Sequence, residues 1–236
     1  MRRRAFLAGL TVTPIVAAKA QSIGIGVGID ELRKGKLGGG GGSTTTWDPA
    51  SVTAVTLSGS NLVATNTGTT STDQGAKVAS SAGRNTGKYY FEVTITANTT
   101  GVNRGLGIGT TASTYTNMGN GATTGVVMYF TGSVYANGGS TGISIPSVII
   151  GVPVGMAIDL DNRKIWIRAS AGGIWNNSGT ADPATNVGGI TIPAGTMVPF
   201  VVFGGGSGAA NNVVTANFGA SIFAGAVPAG FTSGWI

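Results

Sequence analysis

From Trp47 to the C-terminus the apolar positions fall into short runs rich in Val, Ile, Thr, Phe and Tyr, broken by Gly, Asn, Ser or Pro clusters. Several runs alternate apolar and polar residues, and no long stretch repeats with a helical period. That pattern predicts strands. They are placed at 54–57, 62–66, 77–79, 88–96, 104–109, 125–129, 133–136, 153–159, 164–169, 197–203 and 212–218. So many short strands with turn signals between them fit an all-β chain folded as a two-sheet antiparallel sandwich.

The clearest unit runs from Gly155 to Arg168. Met156, Ile158 and Leu160 alternate with Ala157, Asp159 and Asp161; beyond the polar turn, Ile165 and Ile167 alternate with Trp166 and Arg168. Asp and Asn tolerate the backbone of a tight turn, so a β-hairpin is expected. One face is bulky and apolar, and the other mixes small, polar and aromatic groups.

The segment Gly87-Lys88-Tyr89-Tyr90-Phe91-Glu92-Val93 resembles the signature strand of the SPRY family, a concanavalin A-like sandwich or jelly roll. Further landmarks follow in order: Gly107-Ile108-Gly109, the hairpin with Asp159 and Trp166, Trp175, Met197-Val198-Pro199-Phe200, Ala216-Asn217-Phe218-Gly219, and Pro228 to Trp235. The resemblance spans about residues 47–236. It implies a scaffold that binds partners, mostly proteins, through loops at one end. The Gly, Thr, Ala and Asn richness and the absence of an Asp-Gly step before the hairpin depart from many animal members. The Gly38–Gly42 run, the low-charge body beyond it and the apolar segment before it look instead like those of SPRY-like domains carried by bacterial prophage and phage virion proteins.

Composition narrows the chemistry. The 236 residues include 42 Gly but no Cys and no His. That excludes disulfides, Ser-His-Asp triads, Cys nucleophiles and the usual zinc sites. A sandwich can also house glycosidases, which need two carboxylates about 5–9.5 Å apart. Asp159 and Asp161 would sit ~6–7 Å apart on one strand face, but they read better as hairpin residues, with Asp159 beside Arg163, Lys164 or Arg168. Glu92 is expected to face outward or to pair with Lys88 or Arg104. No catalytic residue, cofactor or metal site is assigned.

The net charge of +6 is mostly a property of the N-terminal segment. Residues 1–42 hold seven basic and two acidic residues, whereas the remainder holds seven and six. A near-neutral body lacks the clustered cations that nucleic-acid binding needs. Arg2, Arg3 and Arg4 precede an apolar run to Ala18, and Ala18-Lys19-Ala20 offers a cleavage site. Arg3-Arg4-Ala5-Phe6-Leu7 resembles a twin-arginine signal. Ser22 to Ile29 is again apolar, which also fits an arm that docks into an assembly. The expected plan is an arm or signal over 1–37, a Gly/Ser/Thr linker over 38–46, and the sandwich over 47–236.

Aromatic rings beside amides serve carbohydrate sites and protein hot spots. Three predicted loops offer this pairing: Tyr115 with Asn117 and Asn120, Tyr135 with Asn137, and Trp175 with Asn176 and Asn177. The functional expectation is a noncatalytic phage structural protein, a head or tail decoration or a fibre. Residues 1–37 would meet other virion proteins, the loops would meet a host-surface glycan or protein, and the assembly would be a homotrimer. The alternative is an exported bacterial protein- or carbohydrate-binding protein, periplasmic or secreted after cleavage near Ala20. Trp47, Trp166, Trp235, Phe91, Phe218 and Phe231 are expected to be packing residues.

Overall fold

The computed structural model describes residues 45–98, 104–204 and 211–236. The arm, the linker up to residue 44 and residues 99–103 and 205–210 lie outside the described residues.

The chain forms a two-sheet antiparallel sandwich, as the strand pattern and the family resemblance imply. In order the strands are β1 (Val55–Ser58), β2 (Val63–Asn66), β3 (Gln74–Lys77), β4 (Lys88–Ala97), β5 (Gly105–Thr110), β6 (Gly125–Tyr129), β7 (Ser133–Ala136) and β8 (Gly139–Ser144). Then come β9 (Pro153–Asp159), β10 (Lys164–Arg168), β11 (Ile190–Thr191), β12 (Met197–Phe203), β13 (Val213–Asn217) and β14 (Thr232–Ser233). One sheet runs β1-β2-β13-β4-β9-β10-β11, with β14 parallel to β4, and the other runs β3-β12-β5-β6-β7-β8.

Ten of the eleven expected strands are present to within a residue at each end, and the one placed at 77–79 lies earlier, as β3 at Gln74–Lys77. The period-two reading missed the two-residue strands β11 and β14 and also β8, whose hairpin turns on Asn137 (φ 52°) and Gly138 (φ 82°), the positive-φ pair that a tight two-residue turn demands. It also missed the short helix α1 (Tyr115–Gly119), expected as loop. Its start is fixed by a capping box: the Asn117 amide donates to Thr114 Oγ1, and Asn117 Oδ1 accepts from the Thr114 amide. Gly142 has φ 74° within β8, a local kink on the free edge that discourages strand addition.

Inward residues of both sheets meet in the main core. Met156, Ile158, Leu160, Ile165 and Ile167 of the hairpin pack there with Phe91, Leu106, Ile108, Val201 and Phe203. The outer faces are also covered. On the six-stranded sheet, α1 lays Met118 over Val127, Phe200 and Val202, flanked by Tyr115, Tyr129 and Tyr135. On the other, Tyr90, Ala157 and Trp166 lie beneath Trp175, Phe223, Val227 and Phe231. The mixed face of the hairpin is therefore the floor of a second packed layer. Trp47, Trp166, Trp235, Phe91 and Phe218 are buried and Phe231 is half-buried, as expected of packing residues.

Strand direction and short connections define two ends. The β1–β2, β7–β8 and β9–β10 turns and the β3–β4 connection share one end. Thr45 and Trp235 lie there too, the Thr45 hydroxyl donating to the Trp235 carbonyl, and Trp235 Nε1 donating to Ala82 O at 3.0 Å. The β2–β3, β4–β5, β6–β7, β8–β9 and β12–β13 connections and the loop after β10 share the opposite end. Among the described residues, no helix is long and apolar enough to cross a membrane.

Candidate functional site

Two polar networks set the loops in place. Glu92 is only 4% exposed and, against expectation, contacts neither Lys88 nor Arg104. Its carboxylate accepts from Tyr90 Oη at 2.7 Å and from the amides of Ala224 (2.9 Å) and Gly225 (2.7 Å). Arg168 Nη2 donates to Tyr90 Oη at 3.0 Å and to Ala226 O at 2.8 Å, and its guanidinium lies 4.3 Å from the Trp175 ring centre. Burial pushes the Tyr90 hydroxyl well above its ordinary range, so it stays a neutral link between cation and anion. Gly225 permits this closure, because a Cβ there would fall 2.3 Å from Arg168 Nη2. The outward side of the signature strand thus clamps the 220–227 segment onto the sheet.

Asp159 stands opposite Lys164 in the β9–β10 ladder, as expected, but its ion pair is with Lys88: its Oδ2 lies 3.0 Å from Lys88 Nζ, and the Asn162 amide and Nδ2 donate to it at 2.9 and 2.8 Å. Burial raises its carboxyl pKa, but the Asn162 hydrogen bonds and the Lys88 ammonium outweigh this and hold it below the usual range. Its stabilising effect is therefore complete above the unfolded value of about 3.9 and is lost as the pH falls through the lower folded value. In urea titrations across that window, the stability gap between wild type and Asp159→Asn is expected to shrink as the pH drops. A gap independent of pH would refute this. Being fully buried in this network, Asp159 cannot form a hydrolytic pair with exposed Asp161. Among the described residues, no cluster of three or more acidic side chains could hold a metal.

The eight sequence-chosen residues do not converge. Tyr115 lies on the outer face of the six-stranded sheet, its hydroxyl donating to Ser51 O; Asn117 caps α1, and exposed Asn120 ends it. Tyr135 stacks on Tyr129 with ring centres 4.7 Å apart. Asn137 occupies the β7–β8 turn and reaches Thr191 O at 3.4 Å. Trp175 covers Arg168 on the other sheet. Asn176 is buried and mimics a neighbouring strand along β10: its Oδ1 accepts from the Ile167 amide at 2.9 Å, and its Nδ2 donates to Ile165 O and Gly188 O. Only Asn177 reaches the loop end, donating to Ser144 O at 3.0 Å.

At that loop end lies a cleft of about 170 Å³, walled by Pro146, Ile149, Ala169 and Ile174 and edged by Ser147 and Asn177. Its loop is held firmly. The Ile145 amide donates to Gly132 O, Val148 to Phe130 O and Gly151 to Ile95 O, all within 3.0 Å. A turn closed by Val152 N and Ile149 O, with Gly151 at φ 80°, leaves Ile149 62% and Ile150 56% exposed. Ile174 across the cleft is 58% exposed. Periodicity could not find these residues, since an isoleucine run beside a strand reads as core.

Charge is segregated between the ends. Residues 105–158, 169–181 and 183–236 contain no charged side chain. Lys77, Arg84, Lys88, Asp161, Arg163 and Lys164 have some exposure at the end that holds Thr45 and Trp235. At the loop end, the described charges are Arg104 and Asp73, paired at 2.6 Å, and buried Arg168; Asp182, in the connection after β10, accepts from the Ala184 amide and the Thr185 hydroxyl.

No family model matches the chain, and no curated protein matches it. Among solved structures it is similar to the SPRY domain of human HERC1: 13% identity, TM-score 0.52, covering 72% of this chain and 96% of that one. It is also similar to the TRIM65 PSpry domain: 16% identity, TM-score 0.45, covering 73% and 90%. The likeness to the HERC1 domain shows a SPRY-like fold.

Proposed function

We propose that this protein is a noncatalytic structural protein of a phage virion, holding a SPRY-like sandwich at the particle surface as a recognition module. The observation that supports this most is the polarity of the sandwich. Its described N-terminal residues and its C-terminus lie at the charged end, while a loop end poor in charge, with a rigid isoleucine-edged cleft, faces the other way. A protein surface with exposed apolar residues of this kind is suited to association. The reading has residues 1–37 meeting other virion proteins and the loop end meeting a host-surface protein or glycan. Nucleic acid is not among the partners, because the loop end offers no free cation cluster for phosphate. The absence of His and Cys from the chain and the full burial of Asp159 support the noncatalytic part.

The N-terminal mass of the native protein, taken from purified particles and from cell fractions, tests the reading. An intact N-terminus copurifying with particles is expected. A chain that begins near Gln21 in periplasm or medium would overturn it in favour of an exported binding protein, the reading that Arg3-Arg4 and Ala18-Lys19-Ala20 support.

A further inference from the structure

We infer that the isoleucine-edged cleft of one copy receives Ile222 of another. Ile222 is 97% exposed, yet its loop is fixed. Asn217 Oδ1 accepts from the amides of Gly219 and Ser221, and its Nδ2 donates to the carbonyls of Ser221 and Ile222. Glu92 secures the next two amides, those of Ala224 and Gly225. A buried carboxylate and a four-bonded asparagine thus hold out one branched aliphatic side chain that makes almost no contact within its own chain. Little ordering entropy remains to be lost when it binds.

Size and charge select the occupant. Small-molecule sites run to roughly 300–1,000 Å³, so the cleft of about 170 Å³ suits a single side chain. Its aliphatic walls carry no aromatic platform for a sugar. A charged partner would lose hydration with no counter-charge nearby, whereas the 219–227 loop carries no charge at all. Knob and cleft are different patches of one chain, so the contact is either reciprocal across a two-fold axis or heterologous, and the heterologous form closes into a ring when its rotation allows. This gives the proposed homotrimer its interface. It rests on that reading only for the number of copies and stands whether or not the chain belongs to a virion.

The test is sedimentation velocity on the full chain over a hundredfold concentration range, for wild type, Ile222→Asp and Ile174→Asp. Both side chains are more than half exposed, and an unchanged near-UV spectrum confirms folding. Wild type is expected to associate, and each variant to weaken association by about a hundredfold or more. Ile222→Asp keeps the cleft and Ile174→Asp keeps the knob, so an equimolar mixture should form dimers and stop there. A monomeric wild type, association untouched by both substitutions, or a mixture that stays monomeric would overturn the inference. None of these outcomes depends on the N-terminal mass, so the two readings fail separately.

Discussion

Glu92→Leu is expected to cost about 3–5 kcal/mol of stability, the range for removing one member of a buried ionic network. The substitution leaves three donors without an acceptor: Tyr90 Oη and the amides of Ala224 and Gly225. It also strands the buried Arg168 guanidinium, which reaches Glu92 through Tyr90. Glu92→Gln retains an acceptor oxygen and is expected to cost about 1–3 kcal/mol. Urea unfolding measures both, with midpoint and slope read together. Hydrogen exchange supplies a local readout, in which the Ala224 and Gly225 amides lose protection before those of β4 and β9. A loss in Glu92→Leu below about 1 kcal/mol, with both amides still protected, would show that apolar packing alone holds the segment.

Trp166→Ala is expected to cost a similar amount, about 3–5 kcal/mol, for a different reason. The indole is fully buried, lies edge-on to Phe231 with ring centres 6.4 Å apart, and donates from Nε1 to Val187 O at 2.7 Å. Removing it opens a large void in the outer layer and takes one of two donors from the Val187 carbonyl, which keeps only the Asp182 amide. The half-buried Trp175 provides the contrast. Its main described partner is the Arg168 guanidinium, and Trp175→Ala is expected to cost about 1–2 kcal/mol. Equal losses at the two positions would mean that the outer layer is not organised around Trp166.

Much of the sandwich could be read from residue order because its main core obeys period two. Met156, Ile158, Ile165 and Ile167 alternate with residues of another kind, and each set went to one side of the sheet. The opposite side was harder to read. Tyr90, Glu92, Trp166 and Arg168 look like a wet face, since nothing local says that residues 220–231 will fold across them. The expected partners of Glu92 failed for that reason: they were sought among charged side chains, whereas this anion found amides more than a hundred residues away. The aromatic-amide loops were misleading in a similar way. An asparagine is as useful to a turn, a helix cap or a strand edge as to a ligand, and Asn137, Asn117 and Asn176 took those three posts. The cleft emerged only once strand direction had brought the loops after β8 and β10 together.

The position of the late strands governs how the protein must be made. β12 lies between β3 and β5, and β13 between β2 and β4, so strands from the last fifth of the chain occupy interior places in both sheets. A nascent chain stopped before Met197 has neither sheet joined, and its apolar strands must wait on the ribosome for partners not yet synthesised. The sandwich is therefore expected to close only after β13 has been made, and slowly, because non-local pairings dominate. A nonsense codon anywhere upstream of β12 yields an aggregation-prone fragment, not a smaller domain.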